Sequence, residues 1–211
     1  MLGANDGLIS TASLIVGVAA AEPGREPIMI AALAGMVAGA LSMAAGEYVS
    51  VSSQADTEDA EIDRERKELQ EQPEFERQEL AGIYRSRGLT PDLALQVADQ
   101  LMAHDALGAH ARDELGITEV MRARPLQAAA ASAAAFAVGA LPVVGIVWFA
   151  PVALIGALVI AATVALLAAL GSTAAVLGGA PVFRAALRVT FWGLVAMLAT
   201  ALVGRLFGAA V

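Results

Sequence analysis

Glu58, Glu61, Glu65 and Glu68 recur three or four residues apart in a stretch free of proline and glycine, and Glu76 and Glu79 follow after Pro73. At 100° per residue the first four fall within about 80° of one another, so on a helix their carboxylates share a face. Like charges at these spacings are mildly destabilising, and Arg64 with Glu68 and Lys67 with Glu71 offset part of that cost. Most charge runs of this kind are solvated faces. The next pair is harder to dismiss. Phe75, Glu76, Glu79, Leu80 and Ile83 group on one arc of the following helix, with Arg77, Gln78, Ala81 and Arg85 opposite. Glu76 and Glu79 therefore sit in the face that should be buried, and a buried carboxylate needs a partner, a proton or a metal ion. His104 and His110, each taken alone, read as surface or packing histidines. His110 and Glu114, however, are four residues apart, a spacing at which two side chains can meet one ion. Oxygen ligands with few nitrogen or sulfur donors suit hard to borderline divalent cations.

Two more candidates lie in apolar surroundings. The segment Met1–Ala21 carries one charge, Asp6, and Asp6, Ser10, Ser13 and Gly17 form a polar, small-residue stripe at helical spacing. A carboxylate within a membrane is expensive and marks a functional site by default; the competing reading is an interfacial Asp6 capping a helix that starts near Gly7. In the next apolar segment Met36, Ala40, Met43 and Glu47 share a stripe. Methionines there are chiefly packing residues, but Met43 has Glu47 one turn away. No Glu-x-x-His occurs anywhere, so the ferritin-like di-iron pattern is missing.

Positioning these residues is the work of helices, most of them in lipid. The chain has 211 residues, 58% of them hydrophobic, which is too apolar for an ordinary soluble domain. From Pro125 onward Arg184, Arg188 and Arg205 are the only charged side chains, so this part must be several spans of about 20 residues each. The pattern predicts an all-α membrane protein with five transmembrane helices: Met1–Ala21, Ile28–Glu47, Leu126–Phe149, Pro151–Ala169 and Phe183–Phe207. Pro142 would kink or shorten the third, and Gly171–Pro181 reads as a helix end plus loop. Glu22–Pro27 reads as a turn with Pro27 as a first helical residue, and Gly35 and Gly39 as a pair allowing close helix contact. Without proline or glycine between Glu47 and Gln72, the second span should continue as one helix beyond the membrane. Gly88 ends the helix after Pro73, and Thr90-Pro91-Asp92 opens another with the apolar face Leu93, Ala94, Val97, Ala98, Leu101 and Met102.

The expected domains are 1–48 (helices 1 and 2), 49–124 (an acidic helical metal-binding domain inserted between helices 2 and 3) and 125–211 (helices 3 to 5). Tyr48–Arg124 holds 17 of the 21 acidic and 9 of the 13 basic residues. With Arg184 and Arg188 on the same side and only Arg25 and Arg205 opposite, the positive-inside bias makes the acidic domain cytoplasmic. A net charge of −8 leaves no basic surface for nucleic acid, and the lack of cysteine excludes disulfides and thiolate metal sites. No cleavable signal peptide is evident.

The stretches Gly3-Ala-Asn-Asp-Gly-Leu-Ile-Ser-Thr11 and Ala38-Gly-Ala-Leu-Ser-Met-Ala-Ala-Gly-Glu-Tyr-Val-Ser50, the Glu65/Glu68 and Glu76/Glu79 pairs and Glu114-Leu-Gly116 together resemble the vacuolar iron transporter family, in the same order over essentially the whole chain. The resemblance implies a dimeric five-helix membrane domain with a cytoplasmic metal-binding domain extending from the second span. It also implies roles for single residues. Asp6 and Met43 match the acid and methionine of the translocation path, and Glu65, Glu68, Glu76, Glu79 and Glu114 match the glutamates of the cytoplasmic metal sites. Where eukaryotic members carry Met-Met before the last glutamate, this chain has His110-Ala111, so an imidazole stands in place of a thioether. The chain also begins almost at the Asn-Asp-Gly motif, ahead of which relatives carry a further stretch.

The expected function is export of Fe²⁺ from the cytosol, with Mn²⁺ as second candidate and Zn²⁺ or Co²⁺ not separated from them. Proton antiport is expected because crowded carboxylates hold protons that an entering metal displaces. Capture glutamates would pass the ion to Glu47, Met43 and Asp6. No catalytic residue and no resident cofactor is expected. The partners would be divalent ions, protons, the lipid membrane (a prokaryotic plasma membrane, or a vacuolar one in a eukaryote) and a second copy of the chain. The alternative is a membrane-anchored metal buffer or sensor; a carboxylate-bridged membrane oxidase is disfavoured by the missing Glu-x-x-His.

Overall fold

The structure, a computed structural model, describes residues 1–21, 24–118 and 123–208; Glu22 and Pro23 of the expected turn lie outside them. The described chain is helical: α1 (Leu2–Ala20), α2 (Arg25–Glu71), α3 (Pro73–Ser86), α4 (Pro91–Asp113), α5 (Pro125–Phe149), α6 (Ile155–Leu177, after a 3₁₀ turn at Val152–Leu154) and α7 (Val182–Gly208). Five of these, α1, α2, α5, α6 with its 3₁₀ turn, and α7, are long and apolar enough to cross a membrane. The chain divides into two compact units, residues 1–47 with 126–211, and residues 48–125. At 47 residues α2 is more than twice the length a span requires, and it runs unbroken from Arg25 to Glu71.

In the first unit Leu8, Ala12, Ile15 and Val16 of α1 pack with Ile28 and Ala32 of α2, Val143 and Val147 of α5, Ile155, Val159 and Leu167 of α6 and Met197 of α7. Ile30, Val37 and Leu41 of α2 and Leu198 and Leu202 of α7 are exposed, an apolar exterior that suits lipid. Lipid gives apolar helices little reason to associate, so close backbone packing at small residues takes over. A Cβ on Gly7 would lie 2.0 Å from the Phe136 carbonyl oxygen, and one on Gly139 would lie 2.0 Å from that of Ala4; α1 and α5 meet backbone to backbone. The Gly35/Gly39 pair is used inside the chain, making room for the side chains of Leu14 and Phe136. Arg25 donates to the carbonyls of Val147 (2.8 Å), Ala150 (2.6 Å) and Trp148, satisfying oxygens that the end of α5 leaves without helical partners.

Several local expectations change. Asp6 is not a cap: α1 begins at Leu2, so Asp6 lies a turn inside it. Pro27 is the third helical residue, still in the first turn, where its missing N–H costs nothing. α5 runs through Pro142 to Phe149. α6 does not end at Gly171 but at Leu177. A Cβ on Gly171 would sit 2.9 Å from Ala186 Cα, so this glycine serves contact with α7, and the turn falls at Gly178 and Gly179, the latter at φ +66°.

In the second unit α3 and α4 share a small core of Leu80 and Ala81 against Ala94, Ala98 and Ala109, edged by Ile83, Tyr84, Leu101 and Met102. The buried face of α3 is therefore rotated from expectation: Ala81 is inside, while Phe75 and Glu79 are exposed. Leu93 of α4 is also exposed. Alanines at the contact let the helices approach closely, and that decides the face more than side-chain size does. Gly88, at φ +100°, turns the chain between α3 and α4. α4 is interrupted at Asp105, whose backbone is extended (φ −160°, ψ 91°). The Asp105 Oδ1 accepts from the Gly108 N–H at 3.0 Å, so Asp105 acts as the N-cap of a new final segment.

Candidate metal site

Glu65 from α2, Glu76 from the first turn of α3, and His110 and Glu114 from the end of α4 each bring one donor atom into a group whose members all lie within 4.8 Å of one another. His110 Nδ1 is 2.9 Å from Glu114 Oε2, 3.0 Å from Glu65 Oε1 and 3.8 Å from Glu76 Oε2. His110, Glu65 and Glu76 are buried, at 0%, 1% and 3% exposure, and Glu114 forms the half-open side. Three carboxylates thus converge on one imidazole nitrogen, which can offer at most one proton between them. Among the described residues Glu65 Oε1 has no well-directed hydrogen bond despite its closeness, and the buried His110 Nε2 has no partner. Burial, helped by the charges of Glu114, Glu76 and Glu68 and opposed by His110, pushes the Glu65 carboxyl up to about 7. Burial and then the charge of Glu79 raise Glu76 as well. Donors bound at about 2.1 Å to one ion stand roughly 3.0–3.4 Å apart along the edges of an octahedron or tetrahedron. The separations from Nδ1 bracket that range.

Local structure explains the convergence. Pro73 sets the start of α3 and puts Glu76 in its first turn, where a carboxylate is favoured by the helix dipole. Asp105 restarts the helix that carries His110 and Glu114 at a four-residue spacing. A Cβ on Gly108 would lie 2.0 Å from Asp105 Oδ2, so the glycine leaves room for the capping carboxylate. Asp113 then ties that last turn to α3: its carboxylate accepts from Tyr84 Oη (2.9 Å), Arg87 (2.6 Å) and Arg112 (2.7 Å). Burial acts to raise the Asp113 carboxyl, but these hydrogen bonds outweigh it and hold it below the ordinary range.

The remaining expected residues are distributed around this cluster or in the other unit. Glu68 is partly exposed and lies 3.8 Å from Arg64, and Glu79 is exposed; both act on the cluster through charge rather than as members. Glu58 and Glu61 line a separate cavity of about 510 Å³ with Gln54, Thr57 and the 115–118 segment. In the membrane unit Asp6, Ser10 and Thr11 of α1, Ser42 and Met43 of α2 and Phe136 of α5 line a cavity of about 220 Å³, where Ser10 Oγ donates to Asp6 Oδ1 at 3.1 Å. Glu47 is exposed and is not among the residues lining it. Ser13 and Gly17, which share the stripe of Asp6 on paper, line a different cavity with Thr200, Gly204 and Phe207 of α7.

Sequence reasoning missed three contributors: Phe136, the Asp105/Gly108 break and the Asp113 clamp. Asp105 and Gly108 carried a local signal, a capping residue three positions before a glycine. Phe136 had only its size, as the one large side chain in a run of alanines.

Five helices long and apolar enough to cross a membrane, three of them lining a cavity that holds a carboxylate, place the chain among polytopic membrane proteins. It belongs to the VIT family, whose family model matches residues 1–205. A vacuolar iron transporter of Acanthamoeba castellanii is 45% identical over 98% of this chain and 76% of its own length. Vacuolar iron transporter homolog 1 of Oryza sativa subsp. japonica is 39% identical over 99% of the chain and 72% of its own length. Homolog 1 of Arabidopsis thaliana is 36% identical over 99% and 81%.

Proposed function

We propose that this chain carries Fe²⁺ across a membrane, out of the cytosol, in exchange for protons, with Mn²⁺ as second candidate cargo. The observation that carries the reading is the buried convergence of Glu65, Glu76 and Glu114 on His110. Family membership supports it: VIT family transporters are not enzymes, and the relatives above are named for iron. Buried carboxylates lacking cations are an unfavourable arrangement that a doubly charged ion relieves. Each proton held by a raised carboxylate is released when an ion binds, which couples metal and proton in opposite directions. Glu68 and Glu79 strengthen the negative field around the cluster. The captured ion passes to Glu47 and Met43 and is held in the membrane by Asp6, whose cavity offers a carboxylate, hydroxyls and a thioether. The working form is a homodimer with residues 49–124 in the cytoplasm.

The test is Fe²⁺ uptake into inverted vesicles under an imposed pH gradient. An Asp6→Ala, Met43→Ala variant should lose uptake while still binding Fe²⁺. Unchanged uptake removes the proposed path, and binding without any flux in the unmodified chain leaves a membrane-anchored buffer.

A further inference from the structure

Resting on the capture reading above, we infer that His110 makes the buried cluster selective for Fe²⁺, Co²⁺ and Zn²⁺ over Mn²⁺, Mg²⁺ and Ca²⁺. His110 is wholly buried between Ala109 and Ala111, in a helix segment whose other inward residues are small and apolar. A histidine there is costly unless its nitrogens are used. Its far nitrogen, Nε2, has no partner among the described residues, so none of them holds the ring by a hydrogen bond on that side. Its near nitrogen, Nδ1, faces three carboxylate oxygens, the closest at 2.9 and 3.0 Å. With its proton on Nε2, the ring turns a lone pair toward the point where those oxygens converge.

Without His110 the cluster would be an all-oxygen site, the kind that accepts Mn²⁺, Mg²⁺ or Ca²⁺ readily. One imidazole among three carboxylates shifts the balance, because affinity for nitrogen donors rises along the first-row series from Mn²⁺ through Fe²⁺ and Co²⁺ and remains high for Zn²⁺. Burial acts in the same direction. Ca²⁺ takes about 6–8 oxygens and Mg²⁺ keeps several waters, whereas three of the four residues here are closed to solvent. The shell fits an ion content with few, close, mixed donors.

The experiment measures equilibrium binding of Co²⁺, Zn²⁺ and Mn²⁺ to the full-length protein in detergent, unmodified and as His110→Gln, His110→Ala and Glu65→Gln. His110→Gln keeps a polar side chain in place of the ring. It should weaken Co²⁺ and Zn²⁺ binding by at least about tenfold and Mn²⁺ binding by less than about threefold. The visible absorption of bound Co²⁺ should change with it, which a merely space-filling ring would not cause. Equal losses for all three ions, or an unchanged Co²⁺ spectrum, overturn the inference while leaving capture standing. Should neither His110 variant fold, the unmodified protein still decides: pulsed EPR of bound Co²⁺ should show the ¹⁴N coupling of a ligated imidazole, and its absence overturns the inference. If Glu65→Gln leaves every ion bound as before, no ion sits in this cluster and the capture reading itself falls.

Discussion

Glu65 and Glu76 are acids in a place short of cations, and their chemistry follows from that shortage. With its carboxyl pushed from 4.5 up to about 7, Glu65 binds a proton in the folded chain over a pH range where the unfolded chain has already released it. The stability from this group is therefore fully present below about 4.5 and is lost as pH rises through about 7. A bound divalent ion reverses the dependence, because it requires the ionised form. Thermal melts between pH 5 and 8 should show the metal-free protein losing stability toward pH 8 while the increment from added Co²⁺ grows. Glu65→Gln should flatten the metal-free slope, and a slope that survives in that variant would assign it to other groups. Which acids behave this way was only partly legible. Glu65 and Glu68 share a helical face in the sequence, and nothing in their spacing says that one is sealed and the other half open. That is decided by where α3 and α4 lie across α2, which depends on contacts between distant residues.

α3 and α4 join through a core made largely of alanine, so polar contacts have to fix their relative position. Asp113 is the centre of those contacts, and it lies between His110 and Glu114 in sequence. Asp113→Ala would strip Tyr84 and Arg87 of their shared acceptor and let the last turn of α4 drift. The expected result is a loss of about 1–3 kcal/mol in denaturant unfolding and about tenfold weaker Co²⁺ binding. Arg66→Ala, which breaks an exposed pair with Asp63, should do neither. Unaltered Co²⁺ binding in Asp113→Ala would show that the clamp does not position the site. The ends of these helices were readable because Pro73, Gly88 and Thr90-Pro91 are local signals. The break at Asp105 was harder to see, since apolar residues continue on either side from Ala98 to Ala109. Phe75 lies outside the buried face for the opposite reason: closeness of approach at the alanines, not side-chain size, decides which face of α3 is covered.

Across the whole chain the five spans were plain from hydropathy, because the cost of placing charge in lipid leaves little freedom in composition. Glycine was the weak point. Gly171 resembles a helix end but is a contact surface for α7, a use specific to helices that associate without a hydrophobic drive. Asp6 and Met43 stand on separate helices, and the fold brings both to one cavity with Phe136. Metal capture by this chain depends on a divalent ion joining Glu65, Glu76, His110 and Glu114. The most direct measurement is an experimental structure of the full chain with Co²⁺ or Fe²⁺ bound, with the ion located by its anomalous scattering. The expected result is a peak within about 2.0–2.3 Å of one donor atom from each of these four residues. A peak on the exposed carboxylates of Glu68 and Glu79 alone, or none in residues 48–125 under saturating metal, would contradict it.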